Sequence, residues 1–385
     1  MNALASVRNA RPSIHWAPLW FLAKGLAPHT TDIKRIQFLS GIAKMKSGIF
    51  NNTIQLGHGS GGVLSHRLLE RTILPALDPK GSSRQGHDSA IIELGDKRLA
   101  FTTDSYVVSP REFPGGDIGR LAVYGTVNDL AMAGARPRWL SVSLILEEGL
   151  SLEELQRTLD SLKSAADEVG VEVITGDTKV VDRGKGDGAF LNTSGIGVID
   201  HALSIGPDSI EEGDVILLSG DIGRHGVCIL AAREELAFVT EIESDAAPLH
   251  EPVLALIEAG LPVHCLRDLT RGGLASALKE LLMGRGLEGE IRETDIPVAP
   301  EVGGACELLG LDPLYVANEG RMIVILPKES SEATLRILRE FEITAESRVI
   351  GAIGAGAPGR LVLKTAIGSS RIVEMLPGEQ LPRIC

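Results

Sequence analysis

The stretch Val171-Glu-Val-Ile-Thr-Gly-Asp-Thr-Lys179 contains the pattern that decides the fold: a short strand, a small residue and then an acid. The arrangement returns at Val215-Ile-Leu-Leu-Ser-Gly220, which Asp221 follows. Between such strands lie segments with apolar residues at helical spacing, for example residues 117–133. Alternating strands and helices predict an α/β protein built from two α/β halves, with the order of its strands left open.

Size, charge and cysteine usage narrow the class of protein. The 385 residues suffice for about two domains, and no apolar run approaches the length of a membrane span. The net charge of −13 and only 4% aromatic residues exclude the basic, aromatic surfaces that bind nucleic acids. The four cysteines form no C-x-x-C pair, which argues against zinc or disulfides and favours reduced thiols in the cytosol.

The chain divides into four parts by composition and turn signals. Residues 1–50 hold seven basic residues and one acid, and we expect them to be an N-terminal extension that is not part of the fold. The turn Gly206-Pro207-Asp208 separates a first domain at 51–205 from a second at 206–370. Residues 371–385 are predicted to be a mobile tail.

The tail ends in a thiol. Pro377, Gly378 and Pro382 break helices and inner strands, so Cys385 is predicted to lie on a mobile arm. A thiol in this position is either incidental or a reactive group that the arm carries to a site. The choice depends on whether the rest of the chain builds such a site.

Acids at the ends of predicted strands and helices are the candidate site. Several carboxylates on one rim repel one another unless a cation neutralises them, and Mg²⁺ prefers carboxylate and phosphate oxygens. Nearby basic groups suit phosphate, and glycines of Gly57-His-Gly-Ser-Gly-Gly62 offer backbone N–H groups. No G-x-x-x-x-G-K-[ST] loop is present, so any ATP site is of another kind. The acids are Asp88, Asp104, Asp129, Asp177, Asp221 and Asp268, and the basic groups are Lys179, His225 and Arg271.

Seven motifs together resemble one family, the hydrogenase maturation factors called HypE. That family belongs to the ATP-binding superfamily of aminoimidazole ribonucleotide synthetase, selenophosphate synthetase and thiamine monophosphate kinase. The ending Pro382-Arg-Ile-Cys385 is specific to HypE within it. The motifs are Gly57-His-Gly-Ser-Gly-Gly62, His87-Asp-Ser-Ala90, Thr102-Thr-Asp-Ser105, Val127-Asn-Asp-Leu-Ala-Met-Ala133, Gly176-Asp-Thr-Lys-Val180, Arg267-Asp-Leu-Thr-Arg-Gly-Gly273 and Asn318-Glu-Gly320.

The resemblance implies a fold, a reaction and partners. The fold is PurM-like, with a mixed N-terminal sheet that forms a barrel in a homodimer and a C-terminal α/β sandwich. Cys385 would receive a carbamoyl group from HypF, and ATP would dehydrate it to a thiocyanate in the cytoplasm. The HypC–HypD complex would then take it as the cyanide ligand of the nickel–iron site.

The resemblance and the residue chemistry together give expected roles. Cys385 carries the reacting group, Glu319 is a candidate base, and Lys179 holds the γ-phosphate or the amide oxygen. The expected Mg²⁺ ligands are Asp88, Asp104, Asp129 and Asp221, with Asp177 beside them. The expected ATP contacts are Gly59, Gly61, Gly62, Lys179, His225, Arg271 and Asn318.

Two other functions compete with the dehydratase. One is another enzyme of the superfamily, a selenophosphate synthetase or small-molecule kinase, in which the tail is inert. The segment before Gly57 contains no cysteine, which argues against the selenium enzyme. The other is a non-catalytic assembly scaffold, and the retained acids argue against it because buried like charges destabilise a protein.

Overall fold

The structure is a computed structural model, and it describes residues 53–78, 87–233, 242–376, 378, 381 and 383–385. The prediction for residues 1–50 lies outside the described residues. Ile54–Cys385 forms one compact unit. No helix in the described ranges is long and apolar enough to cross a membrane.

Strands within these ranges assemble into two large sheets and one small pair. They are β1 (Ala90–Leu94), β2 (Lys97–Tyr106), β3 (Glu112–Phe113), β4 (Gly116–Asp117), β5 (Arg136–Glu147), β6 (Glu172–Val181), β7 (Ala189–Ile199), β8 (Asp214–Leu218), β9 (Cys265–Asp268), β10 (Leu287–Arg292), β11 (Met322–Pro327), β12 (Arg348–Ala355), β13 (Arg360–Lys364) and β14 (Ser370–Val373).

Helices cover the faces of these sheets. The α-helices of the described ranges are α1 (Val63–Leu68), α2 (Leu74–Leu77), α3 (Ile118–Met132), α4 (Leu152–Glu168), α5 (Arg224–Arg233), α6 (His250–Glu258), α7 (Gly273–Leu282), α8 (Pro300–Leu309) and α9 (Ser331–Leu338). A π-helical stretch, Leu69–Ile73, joins α1 to α2. The α/β prediction is therefore confirmed.

The first sheet has the strand order β1-β2-β7-β5-β6. Strands β1 and β2 form an antiparallel hairpin, while β5 and β6 pair in parallel. Residues of β7 alternate between buried and half-buried along its length, because one face packs against helix α3. Ser151 and Glu154 form a capping box at the start of α4.

Helix α3 joins the two halves of the core. Asp117 caps its first turn by accepting hydrogen bonds from the N–H groups of Gly119 and Arg120. Val127 packs in a cluster with residues of the first sheet, whereas Met132 packs beneath the second sheet. A helix buried on most of its circumference holds its polar residues in fixed positions, and α3 carries Asp129.

The second sheet has the order β14-β13-β10-β12-β8-β11-β9, with the fully buried β8 near its middle. Strand β9 runs from Cys265 to Asp268, and its pairing with β11 begins with Cys265 opposite Ile325. Strand β10 was not predicted, since Glu288, Gly289 and Glu290 weaken its apolar pattern.

The structure corrects the predicted start of the tail at residue 371. Residues 371–373 belong to edge strand β14, which pairs antiparallel with β13. Ile372 is exposed and Val373 is buried in the second core, so one face of this short strand is anchored. The segment outside the sheet therefore begins after Val373.

Candidate active site

Three carboxylates meet where the two halves of the fold face each other. Asp88 precedes β1, Asp129 lies on α3 and Asp268 ends β9, and one oxygen of each lies within 4.8 Å of the others. Thr102 donates its hydroxyl to Asp129 at 2.7 Å, and Arg267 lies 3.0 Å from Asp88. Within the described ranges, the buried Oδ2 of Asp88 has no hydrogen-bond partner.

Burial makes the charged form of this cluster unfavourable. It raises the pKa of Asp88 to about 8, although the Arg267 guanidinium opposes the shift. Burial first, and then the charges of Asp268 and Asp88, raise the pKa of Asp129 well above its usual value. Carboxylates in this position, one with an unpartnered oxygen, fit a site for a hard divalent cation.

The cluster opens into a cavity of about 690 Å³. A cavity of this size can hold a nucleotide-sized ligand. Its lining includes a group of charged side chains, called here the charged wall, and a group of apolar side chains from the α1–α2 segment and from or beside α7, called the apolar wall. The charged wall contains Asp88, Asp104, Asp129, Asp268, Arg267, Arg271 and Glu319, and the apolar wall contains Leu69, Leu74, Ala277 and Met283.

The glycine-rich segment packs against the cavity and the tail. Gly61, at φ +75°, lines the cavity, and a Cβ there would lie 2.6 Å from the Cβ of Arg271. At Gly62 a Cβ would collide with the carbonyl oxygen of Leu376. Gly59 has open space around it. Of the three glycines predicted to contact ATP, the structure thus places Gly61 at the cavity.

The end of the tail is docked inside the fold. The N–H of Val107, just after β2, donates to the carbonyl of Cys385 at 2.9 Å. Ile384 is buried in the same hydrophobic cluster as Val127, and its carbonyl oxygen lies 2.6 Å from Nε2 of His225. The tail thereby brings its thiol close enough to Arg271, Glu319 and Asp104 for their charges to act on it.

The docked thiol lies in a strongly charged environment. Burial raises the pKa of Cys385 to about 12, and the negative charges of Glu319 and Asp104 add to the increase, whereas Arg271 opposes it. Burial also raises the pKa of Glu319 well above its usual value. Oε1 of Glu319 has no hydrogen-bond partner among the described residues.

Two predicted ATP contacts serve the fold or the tail instead. His225 is fully buried, which lowers its pKa, and its two ring nitrogens face Ser244 and Ile384 rather than the cavity. The side chain of Asn318 accepts from the N–H of Gly223 and donates to the backbone carbonyls of Leu269 and Val316. The sequence could not show which way either side chain points, and His225 lies in the first turn of α5 rather than in a loop.

Three further predicted residues lie outside the cavity wall. The buried carboxylate of Asp221 is held by Arg224 at 2.5 Å and by Arg321 at 2.7 Å, so it already has its counter-ions. Asp177 and Lys179 lie on edge strand β6, are more than half exposed, and pair with each other at 2.6 Å. The structure therefore does not bring these three to the carboxylate cluster of this chain.

Asp268 takes the position in the cluster that sequence reasoning gave to Asp221. Both acids follow a strand, and Asp268 was compared with the others without being assigned a role. Its neighbour Arg267, which holds Asp88 and Glu280, was also missed. The available signal was the motif Arg267-Asp-Leu-Thr-Arg-Gly-Gly273, which contains both residues.

Known protein families match the parts of the chain that form both sheets. AIR synthase related protein models match the N-terminal domain at residues 86–199 and the C-terminal domain at 211–364. The chain is 48% identical to the carbamoyl dehydratase HypE of Rhodobacter capsulatus over 334 residues, 86% of this chain and 98% of that protein.

Two solved structures have the same fold at comparable identity. HypE in complex with ATP is 46% identical, with a TM-score of 0.73 and coverage of 86% of this chain and 100% of that chain. A chain of the HypE–HypF complex is 40% identical, with a TM-score of 0.76 and coverage of 80% and 99%. The similarity therefore includes the parts of both sheets that surround the cavity.

Proposed function

The chain belongs to the HypE family of carbamoyl dehydratases, and we propose that it uses ATP to dehydrate an S-carbamoyl group on Cys385. The product is a thiocyanate, the source of the cyanide ligand of the nickel–iron site in hydrogenase maturation. The observation that carries this proposal is the docked tail, which presents Cys385 beside Glu319 and Arg271 at the wall of a nucleotide-sized cavity. ATP is the nucleotide bound in a solved relative.

The reaction must convert the amide oxygen into a leaving group. Attack of that oxygen on the γ-phosphate of ATP releases ADP, and loss of one N–H proton to a base leaves an O-phosphorylated imidate on the sulfur. Loss of the remaining N–H proton with cleavage of the C–O bond releases phosphate and leaves the nitrile. The amide oxygen leaves in phosphate, and sulfur and carbon keep their oxidation states. Burial protects the activated intermediate from water.

Glu319 is the proposed base. The raised pKa of its carboxyl makes the ionised form a stronger base, and its Oε1, which lies 3.9 Å from Nε2 of His225, has no hydrogen-bond partner among the described residues and can accept from an N–H group. Asn128 fixes its position, because Nδ2 of Asn128 donates to the carbonyl oxygen of Glu319 at 3.2 Å. Arg271, whose Nη2 lies 3.9 Å from Asp104, is the proposed phosphate contact.

The carboxylate cluster is the proposed Mg²⁺ site. Asp88, Asp129 and Asp268 would hold the ion, with Asp104 on the same wall. A bound Mg²⁺ supplies positive charge that stabilises the phosphoryl group during transfer. The unpartnered Oδ2 of Asp88 supports this assignment.

The proposed partners follow from the reaction. HypF, with which a relative forms a solved complex, supplies the carbamoyl group, and the HypC–HypD complex receives the cyanide. We also propose a homodimer, as the family implies. All four cysteines are free thiols, which fits a reaction in the reducing cytoplasm.

Mass analysis of the C-terminal peptide tests the proposal. The protein is incubated with HypF, carbamoyl phosphate and ATP, and we expect a carbamoyl adduct on Cys385 that loses one water only when ATP is hydrolysed. Cys385→Ser should show no such adduct. Glu319→Gln keeps the size of the side chain and should retain the adduct, but it should lose water about 10²–10³-fold more slowly. An adduct that loses water without ATP would refute the mechanism.

A further inference from the structure

The side chain of Arg383 is held on three sides. Its Nε and Nη2 donate to the carbonyl oxygen of Val107 at 3.2 and 3.0 Å. Its Nη1 pairs with the carboxylate of Asp187, and its guanidinium carbon lies 5.8 Å from the ring centroid of Phe190. These contacts use the donors, the charge and the flat face of the guanidinium at once.

The backbone of Arg383 is held as well. Its φ of 54° lies in the left-handed region, which among the described residues no other non-glycine residue adopts. Its carbonyl oxygen accepts from Nη2 of Arg233 at 2.7 Å, and Nε of Arg233 also donates to the carbonyl of Ser109 at 2.9 Å. A side chain rarely adopts this conformation unless its surroundings stabilise it, and these contacts do so.

Asp187 is presented by an anchored loop. The loop 182–188 joins β6 to β7, and the carboxylate of Glu147 accepts hydrogen bonds from the N–H groups of Gly184 and Gly188. Those bonds lower the pKa of Glu147, so it stays charged and keeps hold of the loop. The acid that pairs with Arg383 therefore lies on a loop that is held by contacts independent of the tail.

We propose that Arg383 is the residue that sets the position of the tail, and that a preformed tail socket recognises it. The inference rests on the proposed function, because it assigns the socket the task of placing the loaded Cys385 at the cavity. Cys385 follows Arg383 by two residues, so fixing Arg383 limits where the sulfur can lie. Arg383 and Asp187 are positioning residues, since neither touches the reacting group. The tail socket consists of Val107, Ser109, Asp187, Phe190, His225 and Arg233.

The socket also defines which tail the enzyme accepts. A tail with an apolar residue at position 383 would leave the charge of Asp187 and the carbonyl of Val107 without their donor. A lysine keeps the charge but cannot donate along two directions from one plane. We therefore expect the site to select a peptide segment with arginine two residues before its cysteine.

Alkylation of Cys385 tests the socket without any catalytic step. The protein is treated with iodoacetamide in the absence of ATP and HypF, and the C-terminal peptide is followed by mass. The docked Cys385 thiol reacts slowly with iodoacetamide, so the alkylation rate reports the fraction of molecules whose tail is undocked. Asp187→Asn removes the charge of a half-exposed ion pair, and we expect the rate to rise roughly three- to tenfold.

Matched variants separate the socket from a general effect of charge. Asp182→Asn changes the same charge in the same loop, and no contact in the described part of the chain joins that side chain to the tail, so its alkylation rate should equal that of the unmodified protein. Asp187→Glu keeps the charge and should restore most of the protection. If Asp187→Asn is alkylated no faster than Asp182→Asn, the socket does not hold the tail.

Dehydration of a pre-carbamoylated tail then measures the consequence for catalysis. In single turnover Asp187→Asn should lose water more slowly, by at most about three- to tenfold, the full factor being reached only where the loaded tail is mostly undocked, with the ATP concentration for half-maximal rate unchanged. Carbamoylation by HypF should not slow, because the undocked tail is its substrate. A normal dehydration rate with an undocked tail would overturn the positioning role. If no variant dehydrates, the proposed function fails, and the alkylation result still decides the socket.

Discussion

Replacing Asp129 with asparagine should stabilise the metal-free protein and abolish its stabilisation by Mg²⁺. The three cluster oxygens lie within 4.8 Å of one another. Two unit charges at that distance repel by about 3.5 kcal/mol at an effective dielectric constant of about 20. This repulsion and burial together raise the pKa of Asp129 well above its usual value, so a charge on Asp129 disfavours the folded, metal-free form. An asparagine keeps an oxygen for the hydroxyl of Thr102, and we expect a net gain of about 1–3 kcal/mol.

Thermal unfolding with EDTA or with Mg²⁺ measures both effects. The gain predicts a Tm about 1–4 °C higher for Asp129→Asn in EDTA. Mg²⁺ at about 100 times its Kd stabilises the unmodified protein by roughly 2.7 kcal/mol, and the variant should gain none of this. Asp177→Asn is the matched control, because that exposed acid lies on β6 and pairs with Lys179. It should behave as the unmodified protein in both conditions.

Either of two results would refute this reasoning. A lower Tm for Asp129→Asn in EDTA would mean that the fold needs the carboxylate itself. Undiminished protection by Mg²⁺ would place the ion elsewhere. Loss of that protection in Asp177→Asn would instead support the ligand set predicted from sequence, in which Asp177 lies beside the ion.

Two other perturbations address stability. Asp221→Asn leaves Arg224 and Arg321 without their buried counter-ion, so urea unfolding should show a free energy of unfolding lower by about 2–4 kcal/mol. The Tm increase with Mg²⁺ should remain. An unchanged free energy of unfolding would contradict the ion pairs. The raised pKa of Asp88 favours its protonated, folded form, so this contribution to stability is lost as the pH rises from about 4 through about 8. The Tm of the metal-free protein should therefore fall over that range, and Asp88→Asn should flatten the profile.

Local sequence patterns predict much of the fold, whereas the errors of the prediction come from strand pairing. Apolar runs with acids behind them predicted β8, while helical spacing predicted α3. Strand β10 escaped prediction because a glycine and two glutamates interrupt it, yet β12 and β13 flank it on both sides. Such a strand is stabilised by its neighbours rather than by its own composition, and one sequence does not show the neighbours.

The sequence predicted which types of residue form the site, but it did not predict which of those residues lie next to one another. Asp221 and Asp268 both follow a strand, and only the fold shows that Arg321, 100 residues further along the chain, neutralises Asp221. The sequence identified His225 as a polar residue of the candidate site, but its Nε2 contacts the Ile384 carbonyl oxygen, 159 residues away. Side-chain direction and long-range partners decide these roles, and both depend on tertiary packing.

The docked position of Cys385 gives an order to the proposed cycle. Desolvation raises the pKa of the docked Cys385 thiol to about 12, so near neutral pH its thiolate fraction is much smaller than that of an exposed cysteine. Because the thiolate is the nucleophile, the docked tail is a poor acceptor, so loading by HypF requires an undocked tail. Once carbamoylated, the sulfur has no proton to lose, and the charges of Glu319 and Asp104 no longer oppose an ionised form. The burial that prevents loading inside the fold therefore accommodates the loaded, uncharged tail, and dehydration follows docking.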